Sequence, residues 1–420
     1  MFEENPAIAT TANRTNQAAA LLSTGAVLAL IASMLLVGTS FGAVAPLVSA
    51  ILENRGFSEY FTGGVTAILS LAIAISSTVV GKWVERYGTR LINLLGILGQ
   101  AAGFAGLGMA LATHELLLWP VRFGLGVAAT MTFVGAEVAL LRGVLPNVRG
   151  RVMAAYGSAL AIGFMLGVFG SNLAYEALGL WCFGLVSAIA FLIAPLAWWG
   201  LRDEAKNTAV RDKNTHATRT KLHINWQPLW LGLFGAVVFG ALDTAISGVY
   251  PVEGQRLGLQ RSEALNIIGV MAFGLVIGQP MAGGLADKYG AHLPLAIMSV
   301  LGIICSFMAG YVSQTLQSAG LLPIAAAYFG IGVAVGGTYP VSLKLLADRA
   351  APEALPHVNA RFSGNYGYSA LIGPIVAALG IDVMESRGVL GWAVPGLCGL
   401  TLILFLMMVK WDHQRHTGKN

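Results

Sequence analysis

The chain has 420 residues, of which 56% are hydrophobic and only 11% charged, with a net charge of +5. Ordinary soluble domains carry roughly 25% charged residues, so a surface this poor in charge is not built to face water. The surplus of base is gathered beside long apolar runs, which points to lipid headgroups and not to nucleic acid.

In chain order, residues 1–20 form a polar tail in which Glu3 and Glu4 stand where a cleaved signal would carry basic residues. The apolar run that follows is too long for a signal core and is expected to remain as a first membrane helix. Apolar segments fall near 21–50, 60–81, 91–112, 116–141, 153–177 and 180–201. Each reaches or exceeds the roughly 20 residues needed to cross a bilayer core as a helix. They form a first bundle over 21–201. A polar linker over 202–225 follows, with Arg202, Lys206, Arg211, Lys213, Arg219 and Lys221. Six more segments, near 226–250, 263–286, 291–313, 318–346, 363–383 and 388–410, make a second bundle over 226–410, and 411–420 is a short tail. The pattern predicts an all-α polytopic membrane protein with 12 transmembrane helices in two six-helix, pseudo-symmetric bundles.

Basic residues fix an orientation. With both termini cytoplasmic, Arg14, Lys82, Arg86, Arg90, Arg142, Arg149, Arg151, the linker set, Lys288, Lys344, Arg349, Arg361, Lys410, Arg415 and Lys419 share the cytoplasmic side. Only Arg55, Arg256, Arg261 and Arg387 lie opposite. Lysine and arginine near short loops are retained in the cytoplasm, so the chain is expected in the cytoplasmic (inner) membrane.

A short polar phrase occurs twice. Gly81-Lys82-Trp83-Val84-Glu85-Arg86-Tyr87-Gly88 returns 202 residues later as Gly283-Gly284-Leu285-Ala286-Asp287-Lys288-Tyr289-Gly290. Arg122-Phe123-Gly124 is matched by Tyr328-Phe329-Gly330, Gly157 and Gly163 by Gly367 and Gly373, and Pro46 by Pro251, at offsets of 202 to 210. Repeats at offsets within a few residues of one another mean a duplicated unit, the plan on which many secondary transporters are built.

Two charges fall inside apolar segments. Arg122 in the fourth costs about 2.5–3.5 kcal/mol to insert on translocon scales. It either faces a functional cavity or snorkels to the interface near Trp119. Asp243, deep in the seventh, either exchanges a proton, binds a cationic group of a substrate, or is a hydrogen-bonded structural carboxyl. Cys182, Cys305 and Cys398 are widely spaced and read as small packing residues, with no metal-ligand spacing. His114, His223 and His357 read as solvated loop residues. No HExxH, GxSxG or histidine-rich cluster is present, so an enzyme is not expected, nor a cofactor.

The repeated phrase, the segment count and the central linker resemble the major facilitator superfamily. Its loop between helices two and three has the form Gly-x-Leu-Ala-Asp-Arg-x-Gly-Arg-Arg, often echoed between helices eight and nine. Here Glu85 replaces the aspartate of the first copy, and Thr89 stands where an arginine is usual. The stretch from Arg122 through Glu137 to Arg149-Gly150-Arg151 is similar to the YcaD-like branch.

The resemblance implies a cytoplasmic gate made by Gly81, Glu85, Arg86, Gly88, Arg90 and Glu137 in the first half. In the second it implies Gly283, Asp287, Lys288 and Gly290. The first copy is expected to hold the working latch. Arg122 matches the family's helix-four arginine, associated with proton coupling. The helices that line the cavity in this family carry Ser40, Phe41, Tyr339, Asn365, Tyr366 and Tyr368. A monomer is expected, with a small-molecule substrate, protons and the bilayer as its partners and the proton gradient as its energy source. The exporter motif of helix five is partial, since Val168 stands where proline is expected and Gly373-Pro374 occurs instead in the eleventh segment. The reading taken is proton-coupled efflux. Proton-coupled uptake of a nutrient is the alternative, and a non-transporting sensor or scaffold the remote one.

Overall fold

A computed structural model describes residues 22–57, 59–202, 224–314 and 320–417. Most of the linker, His223, the N-terminal tail and Lys419 lie outside the described residues.

Eleven long helices account for the described chain. They are α1 (Thr24–Asn54), α2 (Glu59–Thr113), α3 (Leu118–Gly143), α4 (Arg149–Leu178) and α5 (Trp181–Gly200) in the first half. The second half has α6 (Trp230–Arg256), α7 (Arg261–Tyr289), α8 (His292–Gln314), α9 (Leu321–Arg349), α10 (Leu355–Ser386) and α11 (Ala393–Thr417). No strand occurs among the described residues.

The twelfth span is hidden in α2. Its 55 residues would extend about 80 Å as one straight helix, far beyond a bilayer core of about 30 Å. Gly88 breaks it with φ +81° and ψ 159°, a conformation that glycine alone adopts without strain. Contacts with α3 show the reversal. In the first arm Ala72 meets Gly126 and Ser76 bonds Thr130 at 3.0 Å. In the second arm Gly96 meets Thr132 and Gly103 meets Leu125. Numbers rise together along one arm and run opposite along the other, so the arms are antiparallel. Gly290, at φ +78°, ends α7 in the same way. The repeated phrase is therefore a tight turn between two membrane spans in each half.

Within each half the helices approach closely at glycines. Gly163 and Gly167 of α4 lie against the backbone of α1 at Leu35 and Thr39, and Gly274 and Gly278 of α7 lie against α9 at Phe329 and Val333. A side chain at these points would hold the backbones apart. Large apolar residues such as Phe191, Leu192 and Trp199 on α5, and Ile304 and Phe307 on α8, point outward and exposed. That outer face suits lipid contact.

Two helices begin earlier than hydropathy indicates. The segment expected from 153 starts at Arg149, and the one expected from 363 starts at Leu355. His357, expected in a solvated loop, is helical and three-quarters buried at its side chain. The early turns are polar because they project past the apolar core, into the contact between the halves.

Candidate gate between the two halves

The halves meet where the first arm of α2 packs on α10 and where α4 packs on α7. Gly81 lies against Ala360 and Pro356, and Gly150 and Gly283 lie backbone to backbone. A Cβ at any of these three glycines would overlap its neighbour. Both crossings are beside the turns at Gly88 and Gly290, at the end of the bundle where Lys82, Arg142, Arg149, Arg151, Lys288 and Arg361 cluster. This is the basic end.

Each copy of the repeated phrase sends its acid across to the opposite half. The Asp287 carboxylate accepts hydrogen bonds from the backbone N–H groups of Gly150 at 2.7 Å and Arg151 at 2.9 Å. Arg151 Nε adds an ion pair at 3.6 Å. These N–H groups belong to the first turn of α4, which has no internal partners for them and carries the positive end of the helix dipole. Glu85 Oε2 stands 2.9 Å from His357 Nε2 in the first turn of α10. The two latches are pseudo-symmetric but unequal. The Asp287 side chain is 5% exposed and that of Glu85 is 53% exposed, so the fuller set of contacts belongs to the second copy, not the first.

Further contacts tie the same end. Arg149 bonds Asp348 at 2.9 Å, Lys344 shares that carboxylate at 2.7 Å, and Arg142 Nε donates to the Pro352 carbonyl at 3.0 Å. Deeper in the seam, Glu137 is wholly buried. It accepts from the Tyr339 hydroxyl of α9 and, at 2.7 Å, from the Asn359 amide of α10. Above it sits an aromatic layer. Phe239 lies 5.0 Å from Tyr339 and 5.9 Å from Tyr366, Tyr339 lies 5.4 Å from Phe362, and Phe41 lies 6.0 Å from Phe133. A cavity of about 20 Å³ remains among them, walled by Phe133 and Leu160 of the first half and Phe239, Phe362 and Tyr366 of the second. That is room for a single water.

The opposite end is organised differently. Arg55 pairs with Glu115 at 2.6 Å inside the first half. Arg256 pairs with Asp382 at 3.1 Å and Glu385 at 2.5 Å inside the second. Glu253 caps the start of α11 through the N–H groups of Ala393 and Val394, at 2.8 and 3.2 Å. Each of these bonds lies within one half.

Other candidates fall on various sites. Arg90 donates to the Trp198 carbonyl at 2.8 Å and lies 3.6 Å over the Trp198 ring, so it braces α2 on α5 within one half and does not reach the gate. Arg86 and Lys288 are exposed over their neighbours Tyr87 and Tyr289. Thr89 is buried. Ser40 bonds Gln100 at 3.1 Å inside the first half. Asn365 donates to the Leu233 carbonyl of α6 at 3.2 Å, and Tyr368 is exposed. Asp243 is half-buried on α6. Arg122 is 2% exposed, and its Nε and Nη2 have no hydrogen-bond partner among the described residues.

Sequence reasoning missed His357, Asn359 and Asp348. One signal was available. The offset that carries Gly157 to Gly367 also carries Arg149-Gly150-Arg151 onto Asn359-Ala360-Arg361, which marks the start of α10 as the counterpart of the start of α4.

Comparison with known proteins agrees with this architecture. The family model of the Major Facilitator Superfamily matches residues 30–332 and 232–420. The uncharacterized MFS-type transporter YfkF of Bacillus subtilis is 23% identical over 369 residues, covering 88% of this chain and 92% of that protein. The uncharacterized MFS-type transporter YcaD of Escherichia coli is 26% identical over 356 residues, covering 84% and 88%. Among solved structures, the human organic anion transporter MFSD10 superposes with a TM-score of 0.73 at 14% identity, over 92% of this chain and 99% of that one. The E. coli fucose:proton symporter FucP superposes with a TM-score of 0.67 at 12% identity, over 91% and 98%.

Proposed function

The chain belongs to the major facilitator superfamily, a family of transporters and not of enzymes, and on that premise we propose that it moves a small organic solute across the cytoplasmic membrane by alternating access. The observation that carries this reading is the asymmetry of the seam. Among the described residues, ion pairs between the halves gather at the basic end, and those of the other end stay within one half. With the basic end cytoplasmic, as the positive-inside rule favours, these contacts support a state closed to the cytoplasm.

The small cavity in the aromatic layer is lined by apolar, aromatic and hydroxyl side chains, which suits an amphipathic or weakly charged solute better than a phosphate ester. Asp243 is the carboxyl best placed to carry the coupling proton, because it is half-buried in a membrane helix of the second half. Efflux by proton antiport is the direction taken here. The test is proton flux in liposomes of the reconstituted protein across a panel of amphipathic solutes. Solute-dependent proton movement is expected in the wild type and loss of it, with solute binding retained, in Asp243→Asn. Unchanged coupling in that variant would remove Asp243 from the mechanism.

A further inference from the structure

Outside the seam, the second half carries a surface groove at the basic end that the transport reading does not use. It has a volume of about 560 Å³ and is walled by Trp226, Gln227, Trp230, Trp411 and Arg415. Two segments build it, the turn that leads into α6 and the last turns of α11. The turn is fixed in place, since the Leu229 N–H donates to the Trp226 carbonyl at 3.1 Å and Arg349 of α9 donates to the Pro228 carbonyl at 2.8 Å. The rings of Trp230 and Trp411 meet edge to face, 5.3 Å apart, and the Arg415 guanidinium lies 5.1 Å from the centre of the Trp411 ring. With its amide oxygen turned to that guanidinium, Gln227 accepts from Arg415 Nη1 at 3.0 Å.

The groove is positive, and its surroundings leave it so. A guanidinium has five N–H donors, and the Gln227 oxygen takes up only part of that set. Asp412, the acid nearest Arg415 along α11, turns the other way. Its side chain is 2% exposed, accepts from Arg349 at 2.7 Å and lies 2.8 Å from His292. The sequence ahead of the turn adds base and no acid from 213 to 225, with Lys213, Arg219 and Lys221. A phosphate therefore finds charged donors here, and an ammonium group finds no carboxylate among the residues that line the groove.

Arg415 also ends an exposed stripe. Leu400, Leu404, Met407, Trp411 and Arg415 follow one another at steps of three or four residues, which places them on one face of α11, and all of them are exposed. Along that face the order is apolar, aromatic, cationic. It is the order of acyl chain, interface and headgroup in a lipid leaflet. We propose that the groove binds one anionic phospholipid of the leaflet at the basic end. Its phosphate sits on Arg415, its glycerol backbone among the three tryptophans, and one acyl chain along the stripe of α11. A lipid so held joins the end of the linker to the end of α11 at the membrane surface. The site is separate from the seam and does not rest on the transporter reading.

The test uses the full-length protein in a non-ionic detergent, titrated with dioleoyl phosphatidylglycerol, dioleoyl phosphatidylcholine or glycerol 3-phosphate, with retained ligand counted by native mass spectrometry. A single phosphatidylglycerol is expected, held at least about fivefold more tightly than phosphatidylcholine, the factor that one basic residue contributes toward anionic lipid. Arg415→Gln should remove that preference. Lys410→Gln takes an equal charge from the same end of α11 but does not line the groove, and should keep it. Both residues are exposed, so neither change threatens folding. Phosphatidylglycerol brominated in its acyl chains should quench the tryptophan fluorescence of the wild type. Most of that quenching should be lost when Trp226→Phe and Trp411→Phe are combined. Equal retention of the two lipids, an equal loss in Lys410→Gln, or undiminished quenching in the tryptophan double variant overturns the site. Displacement of the lipid by glycerol 3-phosphate at equal concentration would make it a site for free phosphate and overturn the lipid assignment.

Discussion

Arg122 presents the sharpest conflict between stability and use. Its guanidinium is almost fully enclosed in α3, and two of its nitrogens lack hydrogen-bond partners among the described residues. An unpaired buried charge opposes folding, and apolar replacements of similar length commonly stabilise. Arg122→Met should therefore raise the melting temperature in detergent, by about 1 °C for each kcal/mol recovered in a chain of this length, while solute transport falls at least about tenfold. A lower melting temperature with transport intact would make the arginine structural. The sequence made Arg122, Asp243 and Glu137 legible because a charge inside an apolar run stands out by its insertion cost alone. It could not show what Glu137 touches. Tyr339 and Asn359 lie 202 and 222 residues away, and neither is unusual in a helix that lines a polar seam.

The elements were legible to the extent that hydropathy defines them. Twelve spans, the central break and the turns at Gly88 and Gly290 follow from apolar runs and repeated glycines. The early starts of α4 and α10 did not, because Arg149, Arg151, His357, Asn359 and Arg361 lower the local hydropathy where the helices leave the apolar layer. Those same turns form half of the gate. At this scale the crossing of α4 over α7 is the decisive contact, since Gly150 and Gly283 meet backbone to backbone. Gly283→Val adds bulk that has no room while the two helices touch. The variant is expected to fold, because Gly283 packs against the other half and not within its own. Its basic end should stay open, so a cysteine placed at Ala154, which faces Gly283 and is buried in the closed seam, should react with a water-soluble maleimide at least about tenfold faster than in the parent. An unchanged rate would mean that this crossing does not control closure.

For the whole molecule, duplication produced two latches and the structure gives them different weight. Each acid of the repeated phrase reaches the first turn of a helix in the opposite half, so neither half closes the basic end alone. Asp287 is nearly buried and engages two backbone N–H groups and Arg151. Hydrogen bonds to a charged partner contribute about 1.5–3 kcal/mol each, and their loss leaves the start of α4 without its countercharge. Glu85 is more than half exposed and has one imidazole partner, and exposed ion pairs contribute about 0–1 kcal/mol. The closed-to-open ratio at the basic end should therefore fall by about tenfold or more in Asp287→Ala, and by no more than about fivefold in Glu85→Ala. Spin labels at Leu145→Cys and Ala351→Cys, exposed positions that follow α3 and α9 on opposite halves, read both by pulsed dipolar spectroscopy, since the native cysteines are buried. The double variant tests whether the latches act independently. Asp287 and Glu85 sit on different crossings with no shared partner, so their effects should multiply. A double variant no worse than Asp287→Ala alone would mean that one latch closes the molecule and the other only follows it. Equal single effects would return the weight to plain charge at the basic end.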